Sequence, residues 1–313
     1  MLLSILIPTY NRCTDLDKNL GILCEMILEN HLQDKVNILV YNNASTDKTE
    51  EVVRRHIDAF PNIIQYKKQN TNIGLEANAL DILHESTSIF VMYLGDDDYI
   101  SKDYLLAVVS HLNNNENLYC ITPDYIGITP SGDFLFDRDA NAKSQIFIKG
   151  FNACINNAWK AHQLSGIVFK RKDVYEEYKK RGVSNIYPFI FFIAYSCLKG
   201  DALYLPDYPV KVTQVPQINK DWNYGKDGLL REIFDNFVHL GLSNIEAGKL
   251  EINFMKREPD RFIKYKTPLR ILRAMIIVLT SDKTKINAKF FILSFVPYIT
   301  LRYYLSIVKA KFL

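Results

Sequence analysis

Val91-Met92-Tyr93-Leu94-Gly95-Asp96-Asp97-Asp98-Tyr99 decides how the rest of the chain is read. The run from Ser88 to Leu94 is short, uncharged and flanked by polar residues, the pattern of a buried strand. It ends in Gly95 and three consecutive carboxylates. Like charges side by side repel, so such crowding is tolerated only where the acids are solvated or share a cation. At the carboxyl end of a central strand, acids of this kind can hold a divalent metal against a substrate phosphate. A solvated turn between strand and helix is the plain alternative for a bare Asp-Asp-Asp.

Upstream of this stretch, apolar runs alternate with helical patterns. Strands are expected over residues 3–7, 36–41 and 62–66, ending respectively in Pro8-Thr9-Tyr10-Asn11-Arg12, Asn42-Asn43-Ala44-Ser45 and Asn70-Thr71-Asn72-Ile73-Gly74. Helices are expected over 15–29, from Thr46-Asp47 onward, where Asp47 and Glu50 have capping-box spacing, and after Gly74. Single helices between short strands predict a doubly wound, mostly parallel α/β sheet. Such sheets bind ligands beyond the carboxyl ends of their strands, and here all four ends are polar.

Downstream the alternation loosens. Strands are expected over 118–128 and 133–136 around Pro130-Ser131-Gly132, then over 165–170 and 202–205, with a very apolar helix over 187–198 between the last two. From about Lys226 only helical patterns remain. The expected division is a catalytic domain over 1–225, with a donor half (1–112) and an acceptor half (113–225), followed by a helical, basic region over 226–313.

The composition is 48% hydrophobic and 23% charged over 313 residues, enough for one large globular domain or two small ones. Five scattered cysteines without CxxC spacing point to a reducing compartment rather than to disulfides or zinc. Met1 to Pro8 lacks a basic leader and reads as a first strand, not a signal peptide, and no run reaches the roughly 18 apolar residues of a spanning helix. Charge is unevenly placed. The whole chain carries +3, yet residues 261–313 hold eleven Lys/Arg and one acid, leaving −7 for the first 260. Basic residues among aromatics (Phe290, Phe291, Phe295, Tyr298, Tyr303, Tyr304) suit an anionic membrane surface through 261–313. Packing on the catalytic domain is the alternative, and no nucleic-acid recognition motif is present.

GxGxxG and Walker loops are both absent, which leaves a bound metal as the natural means of neutralising a diphosphate. Ser4-Ile5-Leu6-Ile7-Pro8-Thr9-Tyr10-Asn11-Arg12, Tyr41-Asn42-Asn43-Ala44-Ser45-Thr46-Asp47, Asn72-Ile73-Gly74-Leu75-Glu76-Ala77-Asn78 and Leu94-Gly95-Asp96-Asp97-Asp98 together resemble the successive motifs of family 2 glycosyltransferases with the GT-A fold. The LGDDD form is most similar to the abequosyltransferase-like branch of bacterial surface-polysaccharide synthesis, such as O-antigen or capsule. The resemblance covers residues 3–112 well and the rest weakly.

The resemblance implies a nucleoside-diphosphate sugar donor, a saccharide acceptor that is usually lipid-linked, and Mn²⁺ or Mg²⁺ as cofactor. It implies a cytoplasmic enzyme, peripheral on the inner face of the membrane. It places Pro8, Thr9, Tyr10 and Asn11 beside the nucleotide, Asn43 at the base, and Asn72 and Gly74 in the bordering turn. Asp97 and Asp98 would hold the ribose and the metal, with Asp96 a third candidate; Asp96 and Asp97 count among the nucleotide-binding residues and Asp98 and Asp96 among the metal ligands, and which acid touches the cation stays open. Two departures stand out. Asn43 replaces an Asp that accepts the uracil N3–H, which leaves CDP- and dTDP-sugars open beside UDP-sugars. The family's usual Glu-Asp pair, which carries the catalytic base, falls on Pro188 and Phe189, neither of which can take a proton. The base is therefore unassigned; Asp133, Asp137, Asp139 and His162 are candidates, each also readable as an ordinary loop residue. A nucleotidyltransferase and a non-catalytic scaffold of the same fold are the competing readings.

Overall fold

The computed structural model describes residues 1–214, 226–263 and 266–311. The first half alternates as expected: β1 (Leu3–Thr9), α1 (Cys13–Glu29), β2 (Val36–Asn42), α2 (Thr49–Ala59), β3 (Ile64–Lys68), α3 (Leu75–Glu85), β4 (Phe90–Tyr93) and α4 (Lys102–Asn114). The chain continues through β5 (Leu118–Ile128), β6 (Phe134–Asp137), β7 (Gln145–Phe147), α5 (Phe151–Asn157) and a tight helical turn, Ala158–His162. Then come β8 (Val168–Lys170), α6 (Val174–Lys180), α7 (Pro188–Lys199) and β9 (Asp201–Thr213). Helices α8 (Leu230–Val238), α9 (Asn244–Arg257), α10 (Asp260–Ile263), α11 (Pro268–Thr280) and α12 (Ile286–Lys311) follow.

The nine strands of the described residues form one sheet, in the order β3-β2-β1-β4-β8-β5-β9-β7, with β6 paired to β5. β1 lies parallel to β2 and β4, and β2 parallel to β3. β8 is antiparallel between β4 and β5, and β5 runs parallel to β9. The sheet is thus mostly parallel around the first four strands and mixed beyond them.

Period-two alternation feeds two cores. Leu3, Ile5, Ile7, Ile38, Val40 and Met92 face α1 and α4, while Leu6, Leu39, Tyr41, Val91 and Tyr93 face α3 and α7. Helices α8 to α12 extend the second core. α7 opens on Pro188, whose missing N–H is no loss at a first helical position, and it is buried almost all round.

Several elements differ from the sequence expectation. The capping box of Asp47 and Glu50 does not form. Asp47 accepts from the Thr49 backbone and reaches across to the Cys13 N–H, while Glu50 pairs with Arg54 and Lys68, so α2 starts at Thr49. β9 runs to Thr213, far past residue 205, because Pro206 and Pro209 sit where the pairing with β5 shifts between Pro123 and Tyr125. β7, α5 and α6 were not anticipated; they are short and carry little periodicity.

Candidate active site

The polar ends of β1, β2 and β4, together with the turn after β3, meet on one rim, each fastened to a neighbour. Thr9 Oγ1 donates to Asp96 Oδ2 at 2.7 Å. The Asn11 N–H donates to Ser45 Oγ and the Thr46 N–H to Asn11 Oδ1, both at 2.8 Å. Asn43 Nδ2 donates to Asn72 Oδ1 and the Ile73 N–H to Asn43 Oδ1, again at 2.8 Å. Asn72 Oδ1 also takes the Gly74 N–H, and Gly74 holds φ 87°, a conformation glycine adopts freely. Asn11 and Ala44 share the left-handed region at φ 53° and 60° without that freedom, so the rim stores local strain. Pro8 stays within β1 opposite Tyr41, and Tyr10 is 42% exposed beside the rim.

Within the acid turn the three carboxylates have different surroundings. Asp98 is buried and satisfied. Its Oδ2 accepts from Ser165 Oγ and Gln163 Nε2, and its Oδ1 from the Thr213 N–H. Asp96 takes Thr9 on Oδ2, and its Oδ1 accepts no protein hydrogen bond among the described residues. Burial, reinforced by the Asp97 charge, pushes both Asp96 and Asp98 up to about 7. The Asp97 carbonyl accepts from Thr213 Oγ1, and the Asn19 amide donates to the carbonyls of Gly95 and Asp98, both at 3.0 Å.

Asn19, Gln163, Ser165 and Thr213 were missed by sequence reasoning. Asn19 left a signal: it sits on the apolar stripe of α1, beside Leu16, Leu20 and Leu23, and is buried there. The other three are contributed by distant segments and left none.

The base candidates are not gathered at the rim. Asp133 is exposed at the β5–β6 hairpin, where it accepts from Thr129 and Ser131. Asp137 and Asp139 are exposed and cap their own turns. His162 packs against Trp159 and Phe254, with Nδ1 2.8 Å from the Trp159 carbonyl and Nε2 3.6 Å from Glu258, and burial lowers its pKa. Phe189 is only 2% exposed, and Pro188 is buried with it at the head of α7.

The family model described as glycosyl transferase family 2 matches residues 4–177, more than half of the chain. The chain belongs to glycosyl transferase family 2. Among curated relatives of this glycosyltransferase, abequosyltransferase RfbV of Salmonella typhimurium is 32% identical over 125 residues, covering 38% of this chain and 35% of that protein. An uncharacterized glycosyltransferase of Mycoplasma genitalium is 33% identical over 102 residues, covering 33% of each. The matches thus span about a third of the length of these relatives.

Solved structures share the fold along most of the chain. S. aureus TarS 1–349 in complex with UDP-GlcNAc has a TM-score of 0.65 at 15% identity, covering 88% of this chain and 80% of that one. A Pyrobaculum calidifontis mannosyltransferase in complex with GDP-Man and Mn²⁺ has a TM-score of 0.51 at 15% identity, covering 96% and 86%. The GT-A fold expected from the sequence is therefore the fold found.

Among the described residues no group of three or more His, Cys, Asp or Glu side chains is arranged as a metal site. The acid turn nonetheless fits a cation at one carboxylate. Asp96 is desolvated, repelled by Asp97 and carries an oxygen without a donor among the described residues, so a cation there would relieve what raises its pKa. Asp98, expected as the metal ligand, has both oxygens taken by three protein donors. Its surroundings are those of a carboxylate that fixes the shape of the turn.

Proposed function

We propose that this glycosyltransferase moves one sugar from a nucleoside-diphosphate sugar to a hydroxyl of a lipid-linked glycan in bacterial surface-polysaccharide synthesis. The observation that carries this reading is the fastening of the strand-end turns into one polar rim around Asp96. The nucleotide sugars named with TarS and the mannosyltransferase, and the naming of RfbV as an abequosyltransferase, support the donor and product classes.

Within this reading Thr9, Tyr10, Asn11 and Asn43 border the nucleoside, Asn72 and Gly74 shape the turn beside it, and Asp96 and Asp97 face ribose and diphosphate. Asp96 would hold Mn²⁺ or Mg²⁺, which would neutralise charge developing on the leaving diphosphate. Thr9 orients the Asp96 carboxylate, and Asp98 anchors the turn from beneath. Calorimetry with UDP, CDP, GDP and dTDP in Mn²⁺, Mg²⁺ and EDTA tests the site. One nucleotide is expected to bind only with metal, and Asp96→Asn is expected to abolish that dependence. Binding of none under any condition would leave the rim a structural turn.

The membrane surface is the proposed location of the acceptor, with the body of the enzyme on the cytoplasmic side. No helix among the described residues is long and apolar enough to cross a bilayer. Helices α11 and α12 nevertheless present a second apolar face outward: Leu269, Leu272, Ile276, Phe290, Leu293 and Leu301 are all exposed. An open trough of about 460 Å³ lies along Leu269, Leu272, Arg273, Ile276 and Ile277. Exposed Arg270, Arg273 and Arg302 accompany it, a pairing of apolar and cationic groups that suits an anionic lipid headgroup layer.

A further inference from the structure

Apart from the acid turn, a group of charged and aromatic side chains surrounds Trp159. The Arg138, Lys160 and Arg257 cations lie 5.1, 5.2 and 5.3 Å from its ring. Arg138 also lies over Tyr125 at 4.7 Å and Lys160 over Tyr204 at 3.9 Å. Each ring face attracts a cation, but three cations around one indole repel one another. The protein answers only part of that charge. Asp124, itself buried, pairs with Arg138 at 2.5 Å and accepts from the Tyr204 hydroxyl at 2.9 Å.

Lys160 is 8% exposed, and its ammonium donates to the Asn156 carbonyl, with no carboxylate within ion-pair distance among the described residues. Arg257 is exposed and likewise has no such partner there. Burial, with the Arg138 and Arg257 charges acting in the same sense, lowers the Lys160 pKa to about 7, so the lysine is held at a disadvantage that an anion would remove.

The cluster is also well placed. Ala158–His162 leads directly into Gln163 and Ser165, the two side chains that hold the Asp98 carboxylate. Arg138, Lys160 and Arg257 all come from segments outside residues 1–112, and the turn that carries Lys160 continues into the residues that meet the acid turn.

Resting on the glycosyl-transfer reading, we infer that Arg138, Lys160 and Arg257 around Trp159 form an anion subsite for a phosphate or diphosphate ester carried by the acceptor. A phosphate ester suits the exposed Arg257 fork together with the Lys160 ammonium, because several oxygens can be met at once, whereas a sugar carboxylate offers only two; Arg138, whose Nε and Nη2 already hold Asp124 and the Pro123 carbonyl, adds its charge. The donor's own diphosphate is the other source of the same chemistry, and the test separates the two.

Trp159 and Trp222 are the chain's two tryptophans, so in a Trp222→Phe background fluorescence reports on Trp159. Inorganic pyrophosphate is titrated in EDTA, with glucuronate as the carboxylate control, in that background and with Arg257→Gln or Lys160→Met added. Pyrophosphate is expected to change Trp159 emission, glucuronate is not, and each added substitution is expected to weaken binding about tenfold, the scale of a lost charge-assisted contact. Arg257 is exposed, so its variant reads the subsite even where Lys160→Met folds poorly.

The response is expected to persist when metal and the nucleotide found by calorimetry saturate the donor rim. Absence of a pyrophosphate response, a response unchanged by both substitutions, or one blocked by saturating nucleotide would overturn the inference; the last would return the cluster to the donor's diphosphate. Should no nucleotide bind, the glycosyl-transfer reading fails while the Trp159 titration still reports whether an anion binds.

Discussion

Two residues at the rim have tasks that their motif positions conceal. Asn43 uses its amide on Asn72 and its carbonyl on the Ile73 N–H, so it clamps the turn after β3, whatever its proposed contact with a base adds. Replacing it by Asp would keep the second contact and set a carboxylate oxygen against Asn72 Oδ1. We therefore expect Asn43→Asp to lower stability by about 1–2 kcal/mol, the scale of a lost buried hydrogen bond with an acceptor left facing an acceptor. Thermal melting alongside nucleotide selectivity would check it: a sharpened preference for UDP at unchanged stability would show that the residue acts on the base alone.

Asp98→Asn probes the other residue. An Asn oxygen could still accept from Thr213, but its amide would face donors on Ser165 and Gln163. A loss of about 1–3 kcal/mol is expected even without metal or nucleotide. Denaturant unfolding of the metal-free protein measures it, and wild-type stability there would assign Asp98 to the metal after all.

At the level of elements, the tail helices are apolar on two sides. Ile271, Ala274 and Val278 of α11, with Ala288, Ile292, Val296 and Ile299 of α12, pack into the core, while the outward residues remain uncovered. Deleting the tail would expose that buried seam, so loss of liposome binding by a truncated chain would say little. A cleaner perturbation is Leu272→Glu with Ile276→Glu on the outward side of α11. We expect this pair to leave thermal stability within about 0.5 kcal/mol, as surface changes usually do, and to abolish sedimentation with anionic vesicles. Undiminished sedimentation would remove the membrane from the proposal.

The same elements show what the sequence makes legible. Strands β1, β2 and β4 could be read because their apolar runs are continuous and end in recognisable polar turns. β9 was read as a short strand because two prolines and Asp207 interrupt its pattern; its pairing with β5 shows its full length, and the Tyr99–Lys211 bridge and the Thr213 bond to Asp98 show that it reaches the acid turn. Gln163, Ser165 and Thr213 were invisible for a related reason. Each is an ordinary polar residue whose significance comes from the buried carboxylate it meets, and such partners lie more than sixty positions away.

Across the whole molecule, the junction between α9 and α12 carries a titratable group away from the site. Glu251 is fully buried. Its Oε2 accepts from the Lys285 N–H, its Oε1 has no hydrogen-bond partner among the described residues, and burial raises its pKa to about 8. A carboxyl raised in the folded state contributes stability that is complete below its unfolded value near 4.5 and is lost as pH climbs through about 8. Stability should therefore decline from pH 5 to pH 8, and Glu251→Gln should flatten that decline, leaving the share due to Asp96 and Asp98. Parallel pH profiles for wild type and variant would show that the carboxyl is not desolvated.

The ties on Asp98 also bear on how the polypeptide can be cut. Ser165, which precedes β8, and Thr213, which ends β9, are bound to a turn that follows β4, and β8 is the sheet neighbour that covers the edge of β4. An expression fragment ending near residue 112 would keep the nucleotide motifs but bare that edge and strand a buried acid, inviting strand-to-strand aggregation. Residues 113–214, co-expressed as a separate piece, should rescue its solubility by complementation. The two halves are then one folding unit, and swapping acceptor halves between relatives to change specificity would need the Ser165 and Thr213 contacts carried along.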